Sequence, residues 1–433
     1  MTSDNALPNS GGPSPFNRTA QHDAKRSAIL SQAAKLFNYQ GSRGTTLQDI
    51  ASSLGLTKTS LYYYVKTKED LIYQCYRVAL EHHHSALDTI EQETTDPRAR
   101  AAGFLKQHFV SWGAAQNGTG PHIAALMEIA ALKGQHKEEI EAQYIALFKR
   151  VRNNIRTGVA EGSLRPCEST ATTRAIMGSL DWTFSWLHGV PLEQLEATAH
   201  AALDILANGL ASTEPLHAVA LDAPGERPNE SLEGFNREET NRLKQEAFYK
   251  TGTRFFNRRG FNGASLDEIA EDLKVSKGAF YYHIKSKEDL LSSCYKRSLN
   301  ILGDIHDRAD RGTDCGLIRA QRICLEAFKV QISADGPLIR YNTITALPMA
   351  RRREILKQTE ALNTHFGQLL EQGIEDGSVR PINIFIARQL IAGAINAAMD
   401  IGKWREVDDP ESAAIDYFNV LFNGLLPRAD ATD

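Results

Sequence analysis

Cysteine is scarce in this chain and poorly placed for chemistry. The five thiols, Cys75, Cys167, Cys294, Cys315 and Cys324, form no Cys-X-X-Cys pair and no pairing with histidine at metal-ligand spacing. Such an odd, scattered set points to a reducing, cytoplasmic setting, and no disulfide framework is expected. No apolar run approaches the ~18 residues of a membrane span, and residues 1–21, rich in Ser, Asn, Gly and Pro, lack an apolar signal core. An excess of charge of one sign is also missing, since 49 Lys and Arg face 53 Asp and Glu for a formal net charge of −4. That total neither requires nor forbids a nucleic-acid partner, because the placement of the cations decides. Strand-like alternation is absent. Gly-rich phosphate loops, nucleophile motifs and metal-ligand clusters are absent too, so neither an enzyme nor a bound cofactor or metal is expected.

What the chain does contain is itself, twice. Residues 45–76 align without a gap on 264–295, an offset of 219, with 14 of 32 positions identical. Leu47/Leu266, Ile50/Ile269, Lys58/Lys277, Tyr63/Tyr282 and the Lys-Glu-Asp-Leu runs are among them. Further on, Gly162-Ser163-Leu164-Arg165-Pro166 is matched by Gly377-Ser378-Val379-Arg380-Pro381 at an offset of 215. The second copy has therefore lost four residues in between, and a complete two-part unit has been duplicated. At 433 residues, two to four domains are the natural expectation. The organisation expected is a disordered arm over 1–21, a first head over 22–82, a first regulatory domain over 83–211, a linker over 212–237, a second head over 238–298 and a second regulatory domain over 299–427. The linker turns to Pro, Asn, Gly, Asp and Glu and loses apolar periodicity.

Elsewhere the 3.6-residue period recurs, and the fold class is all-α. Ile29, Ala33, Leu36 and Phe37 make one stripe, Leu47, Ile50, Ala51 and Leu54 a second, and Leu61, Tyr62 and Val65 a third. Two longer helices over about 169–188 and 192–211 close the first copy, with mixed Ala, Gly, Leu and Trp surfaces suited to close packing. Thr45 or Thr46 can cap a helix from Leu47 to Leu54. Gly55 allows the tight turn, and Thr57 caps a second short helix from Lys58 to about Val65. That layout is a helix-turn-helix, whose second helix offers its N-terminal residues to a major groove. Lys58, Thr59, Ser60 and Tyr64 carry donors for bases or phosphates, Tyr62 and Tyr63 add hydroxyls on rigid rings, and Lys68 opens the next helix beside a phosphate-favouring terminus. Leu61 and Val65 are expected in the core and one of the tyrosines half-buried in packing, with Glu69 and Asp70 stabilising a helix start.

The run Thr45-Thr46-Leu47-Gln48-Asp49-Ile50-Ala51, then Leu54-Gly55-Leu56-Thr57-Lys58, then Leu61 through Leu71, closely resembles the TetR family of bacterial regulators. The second copy resembles it as well, in Ser265-Leu266-Asp267-Glu268-Ile269-Ala270, Val275-Ser276-Lys277-Gly278 and Phe280-Tyr281-Tyr282-His283. The resemblance covers about 50 residues in each copy. It implies a three-helix head followed by a helical regulatory and dimerisation domain, acting on a double-stranded DNA operator, and it makes Thr46, Lys58, Thr59, Ser60, Tyr62, Tyr63, Tyr64 and Lys68 the DNA-facing set of the first copy. Ser265, Lys277, Gly278, Ala279, Tyr281, Tyr282, His283 and Lys287 are their counterparts in the second. One departure stands out: Lys274 replaces the turn glycine Gly55. If positive φ is kept there, the substitution costs about 1 kcal/mol.

The resemblance further implies an effector-responsive repressor. Its effector would be a small lipophilic molecule of the acyl-CoA kind, and its two copies would form an intramolecular pseudo-dimer or a homodimer. The rival function is a DNA-binding architectural protein whose helical domains hold a protein partner. Differences at Thr59/Gly278, Ser60/Ala279 and Tyr64/His283 imply unlike operator half-sites. Phe104, His108, Phe109 and Trp112 form an aromatic stripe that reads as core before it reads as a cavity lining, and His82-His83-His84 reads as a solvated helix face.

Overall fold

The computed structural model describes residues 15–126, 129, 132–212, 237–311 and 314–428. Among these residues the regular elements are all helical, and the two copies match helix for helix. The first head comprises α1 (Pro15–Gly44), α2 (Leu47–Ser53) and α3 (Lys58–Tyr62), and its regulatory part α4 (Lys68–Glu93), α5 (Pro97–Gln116), α6 (Gly134–Ala160), α7 (Ser169–Asp181) and α8 (Leu195–Asn208). The second head comprises α9 (Arg237–Gly263), α10 (Leu266–Asp272) and α11 (Lys277–His283). Its regulatory part comprises α12 (Lys287–Ala309), α13 (Gly316–Ile332), α14 (Met349–Glu375), α15 (Ile384–Ala398) and α16 (Pro410–Asn423).

Several boundaries differ from those expected. Helix α1 begins at Pro15, inside the stretch read as an arm, and residues 1–14 and 213–236 of the arm and linker lie outside the described residues. Helices α4 and α12 run unbroken through positions 82 and 298, so each head shares its last helix with its regulatory part. Helix α7 stops at Asp181 instead of running to His188. The Thr183 hydroxyl donates to the Leu180 carbonyl (2.7 Å) and Ser185 to that of Trp182 (2.6 Å), and the chain tightens into 3-10 turns up to Pro191. Short hydroxyl side chains compete in this way with the helical ladder. The histidine triplet is not a solvated face either. His82 bonds Ser111 (2.8 Å), His84 bonds the Gln143 carbonyl (3.3 Å), and His83 stacks on His108 at 6.0 Å beneath α5. The aromatic stripe on α5 is core, with Phe104, Phe109 and Trp112 all buried.

The copies pack on each other through α7 and α15, flanked by α8 and α16. Gly178 and Gly393, related by the 215 offset, face each other at the crossing. A Cβ on Gly178 would lie 2.3 Å from that of Ala397, and one on Gly393 would lie 2.6 Å from that of Trp182. Only hydrogen fits, and the close approach lets the Ser179 hydroxyl reach the Leu390 carbonyl (2.8 Å) and the Trp182 indole reach Gln389 (3.2 Å).

Around this crossing the same offset recurs in bond after bond. The Arg165 amide donates to the Leu425 carbonyl (2.8 Å) and the Arg380 amide to that of Leu210 (3.0 Å). Leu425 donates to Leu206 (3.0 Å) and Leu210 to Leu421 (3.1 Å). The Arg165 guanidinium meets Asn419 (2.8 Å) and that of Arg380 meets Asp204 (2.7 Å). Each contact has a partner generated by exchanging the copies, which is the signature of a two-fold interface. The duplicated Gly-Ser-Leu/Val-Arg-Pro turns supply the arginines that lace the copies together.

Candidate nucleic-acid interface

Each head is built by short-range chemistry. Thr46 caps α2 through a reciprocal box, its hydroxyl accepting from the Asp49 amide (3.1 Å) while the Asp49 carboxylate accepts from the Thr46 amide (2.8 Å). Such a cap contributes ~1 kcal/mol. These bonds hold the Asp49 carboxyl below the usual range. Gly55 takes φ 66° in the turn, and Thr57 caps α3 by accepting from the Ser60 amide (3.1 Å). Leu61 and Val65 are buried and hold α3 down. In the second head Ser265 and Ser276 replace the threonine caps, Phe280 replaces Leu61, and Lys274 does adopt the left-handed backbone, at φ 54°.

Most of the expected DNA-facing residues are exposed, each set on its own head. Tyr63 and Tyr282 are 75% and 78% exposed, an unusual state for a large ring that nothing in the fold requires. Tyr62 and Tyr281 are exposed beside them, and Thr59, Ser60, Gly278 and Ala279 lie on the same open turn. Helix α3 is shorter than expected, ending at Tyr62, and Tyr64 turns back to pack on His22 at 4.9 Å, making it the half-buried tyrosine. His283 likewise leans on Phe248 at 5.7 Å. The hydroxyls of Thr46 and Ser265 serve as helix caps, and that of Ser60 pairs with Thr57 (2.8 Å). Lys68 is the first residue of α4. Its counterpart Lys287 folds back to the Phe261 carbonyl (3.0 Å) instead of projecting outward.

The two heads differ in charge at their tips. Lys58 lies 5.8 Å from the centre of the Tyr62 ring and forms no ion pair among the described residues. Lys277 is bound to the Asp267 carboxylate at 2.6 Å, and the Tyr281 hydroxyl donates to the same carboxylate at 3.1 Å. These two donors hold the Asp267 carboxyl low, and Asp267 in turn holds the Lys277 ammonium up. The first head has Gln48 at this position. Aligning the heads by identities alone missed this exchange, although it was readable as a Gln-to-Asp difference.

A second feature escaped the sequence reading. The Asn38 amide donates to the Ile123 carbonyl (2.8 Å), and its oxygen accepts from the Ala125 amide (2.8 Å). Asn257 does the same with the Leu338 carbonyl (2.8 Å) and the Arg340 amide (2.9 Å). Each asparagine thus clasps the first helix of its head to the loop between the regulatory helices, α5–α6 or α13–α14. The signal was the shared Phe-Asn dipeptide, Phe37-Asn38 and Phe256-Asn257, at the 219 offset.

Residues 29–75 and 248–294 match the model described as bacterial regulatory proteins of the tetR family, and residues 97–210 match that of a tetracyclin repressor-like C-terminal domain. The chain is 23% identical over 202 residues to the HTH-type transcriptional repressor KstR2 of Rhodococcus jostii, a match covering 46% of this chain and 98% of that protein. It is 50% identical over 44 residues to the Transposon Tn10 TetC protein of Escherichia coli, covering 10% of this chain and 22% of that protein. Among solved structures, the TetR family transcriptional regulator PfmR of Thermus thermophilus is 27% identical, with a TM-score of 0.35, and the match covers 41% of this chain and 95% of that one.

Proposed function

The chain belongs to the tetR family of bacterial regulatory proteins, carrying its DNA-binding unit twice, and from that premise we propose that it is an effector-responsive transcriptional repressor in which one polypeptide supplies both halves of a dimer. The observation that carries the reading is the crossed set of bonds around Gly178 and Gly393, which joins two full family units as a symmetric dimer would. The repressor named among its relatives has a length close to one copy, as the 98% coverage by 202 residues indicates. Family dimers place two heads on half-sites about one helical turn, ~34–36 Å, apart. Here the heads are unlike, so the operator has unlike halves. The exposed Thr59 and Ser60 face one half, and Gly278 and Ala279 face the other.

Release of the operator follows from the clasps. A ligand that shifts the loop between α5 and α6, or between α13 and α14, moves the Asn38 or Asn257 anchor and re-aims the head attached to it. Selecting bound fragments from random duplex DNA, followed by footprinting, tests the reading. Two adjacent, non-identical half-sites are expected, and a single perfect palindrome would overturn the assignment of unlike halves.

A further inference from the structure

An open cleft of about 1040 Å³ lies between the copies, walled by α6 and α7 of the first and by α9 and the Met399–Trp404 region of the second. It sits at the upper end of the ~300–1,000 Å³ common for small-molecule sites. Its lining carries nine Lys and Arg side chains against three carboxylates. All three carboxylates are already engaged, Asp181 accepting from the Tyr144 hydroxyl (3.3 Å). Asp400 pairs with Arg340, Lys403 and Arg174 (3.8 Å), and Glu141 pairs with Lys137 (3.7 Å). Lys149, Arg152 and Arg258 have no ion-pair partner among the described residues. Arg174 is 7% exposed; one terminal nitrogen donates to the Tyr144 hydroxyl (3.3 Å), and its Nε has no hydrogen-bond partner among the described residues. A buried guanidinium N–H left unsatisfied is costly and calls for an acceptor. Trp404, stacked on Phe148 at 3.8 Å, and Tyr144 give the cleft an aromatic wall.

Most of this charge belongs to one side of the two-fold, although Lys137 and Arg254 keep cationic counterparts in Arg352 and Lys35. By the 215 offset, Lys149, Arg152, Arg174, Arg340 and Lys403 correspond to Thr364, Gly367, Gln389, Ala125 and His188, and Trp404 corresponds to Gly189. Duplication followed by divergence has left one cationic cleft where a homodimer would have two or none.

We propose that this cleft binds one small molecule per chain, bearing two or more phosphate or carboxylate groups and an aromatic or apolar portion. This deepens the effector-responsive reading and rests on it. Arg254 and Arg258 lie on α9 next to Asn257, so the ligand ties the second head to the regulatory domain of the first copy.

The test is titration of the full chain with coenzyme A, ATP and inorganic pyrophosphate, followed by tryptophan fluorescence and calorimetry, with operator affinity measured in parallel. Saturation at one ligand per chain is expected, with coenzyme A or ATP tighter than pyrophosphate. R152Q combined with R258Q should weaken binding about tenfold or more, while R352Q, at the position related to Lys137 on the other side of the two-fold and outside the cleft lining, leaves it unchanged. No saturable binding to any of the three probes, two ligands per chain, or binding indifferent to R152Q/R258Q would each overturn the site. Binding that leaves operator affinity unaltered would keep the site and overturn the effector role.

Discussion

Replacing Asp267 by Gln should turn the weaker head into a copy of the stronger. In the second head the Lys277 ammonium is held 2.6 Å from Asp267, and the Tyr281 hydroxyl is bound to the same carboxylate. The first head offers Lys58 freely, with Gln48 in place of the acid. Each phosphate neutralised by one lysine contributes ~0.9 to the slope of log affinity against log salt, so a fourfold rise in salt weakens binding about 3.5-fold per contact. Lys58→Ala should therefore flatten the slope by about 0.9. Lys277→Ala should flatten it by less than half of that, because its charge is already neutralised and a carboxylate faces the DNA beside it. Asp267→Gln should steepen the slope by about 0.9, and Lys277→Ala made on that background should remove the gain. Fluorescence anisotropy with the selected operator, from about 50 to 200 mM salt, reads all four variants. Equal effects of the two lysine replacements, or no change with Asp267→Gln, would refute the reasoning.

Three other perturbations have defined outcomes. Lys274→Gly should stabilise the second head by ~0.5–1 kcal/mol, because relief of a left-handed side-chain position outweighs the added freedom of glycine in the unfolded chain, and amide exchange in α10 and α11 should slow accordingly. Asn257→Ala leaves the Leu338 carbonyl and the Arg340 amide without their partner, so a loss of ~1–3 kcal/mol in thermal unfolding is expected, together with a smaller response of operator affinity to ligand. His108 is bonded to Thr183 (2.7 Å) and pushed down to about 4 by burial. As pH falls below the ordinary histidine value of 6.5, the unfolded chain takes up a proton that the folded chain refuses, and stability drops until about pH 4. His108→Gln should remove part of that drop in melting temperature between pH 7 and 5, and an unchanged drop would contradict the assignment.

What could be read from the sequence follows the range of the interactions involved. The heads were legible because their determinants are local: Thr57 caps the helix it precedes, Gly55 makes the turn it occupies, and Leu61 marks a face by its spacing. The interface was legible only as candidate helices. That Gly178 meets Ala397, or that Arg165 crosses to Asn419, depends on residues over 200 positions away. His82-His83-His84 misled for a related reason, since a polar triplet looks solvated until α5 is laid over it. The end of α7 was misplaced because Thr183 and Ser185 cap backward onto their own turn, a choice that periodicity does not register. The cationic cleft was invisible, as Arg152, Arg174 and Arg258 are scattered until two copies close on one another.

The stoichiometry of the operator complex tests the fused dimer most directly. Sedimentation of the chain with a selected duplex should give a complex of one 47.9 kDa polypeptide per operator, protecting both half-sites and dissociating as salt rises. Two polypeptides on each duplex, or no salt-sensitive binding to any duplex, would contradict it.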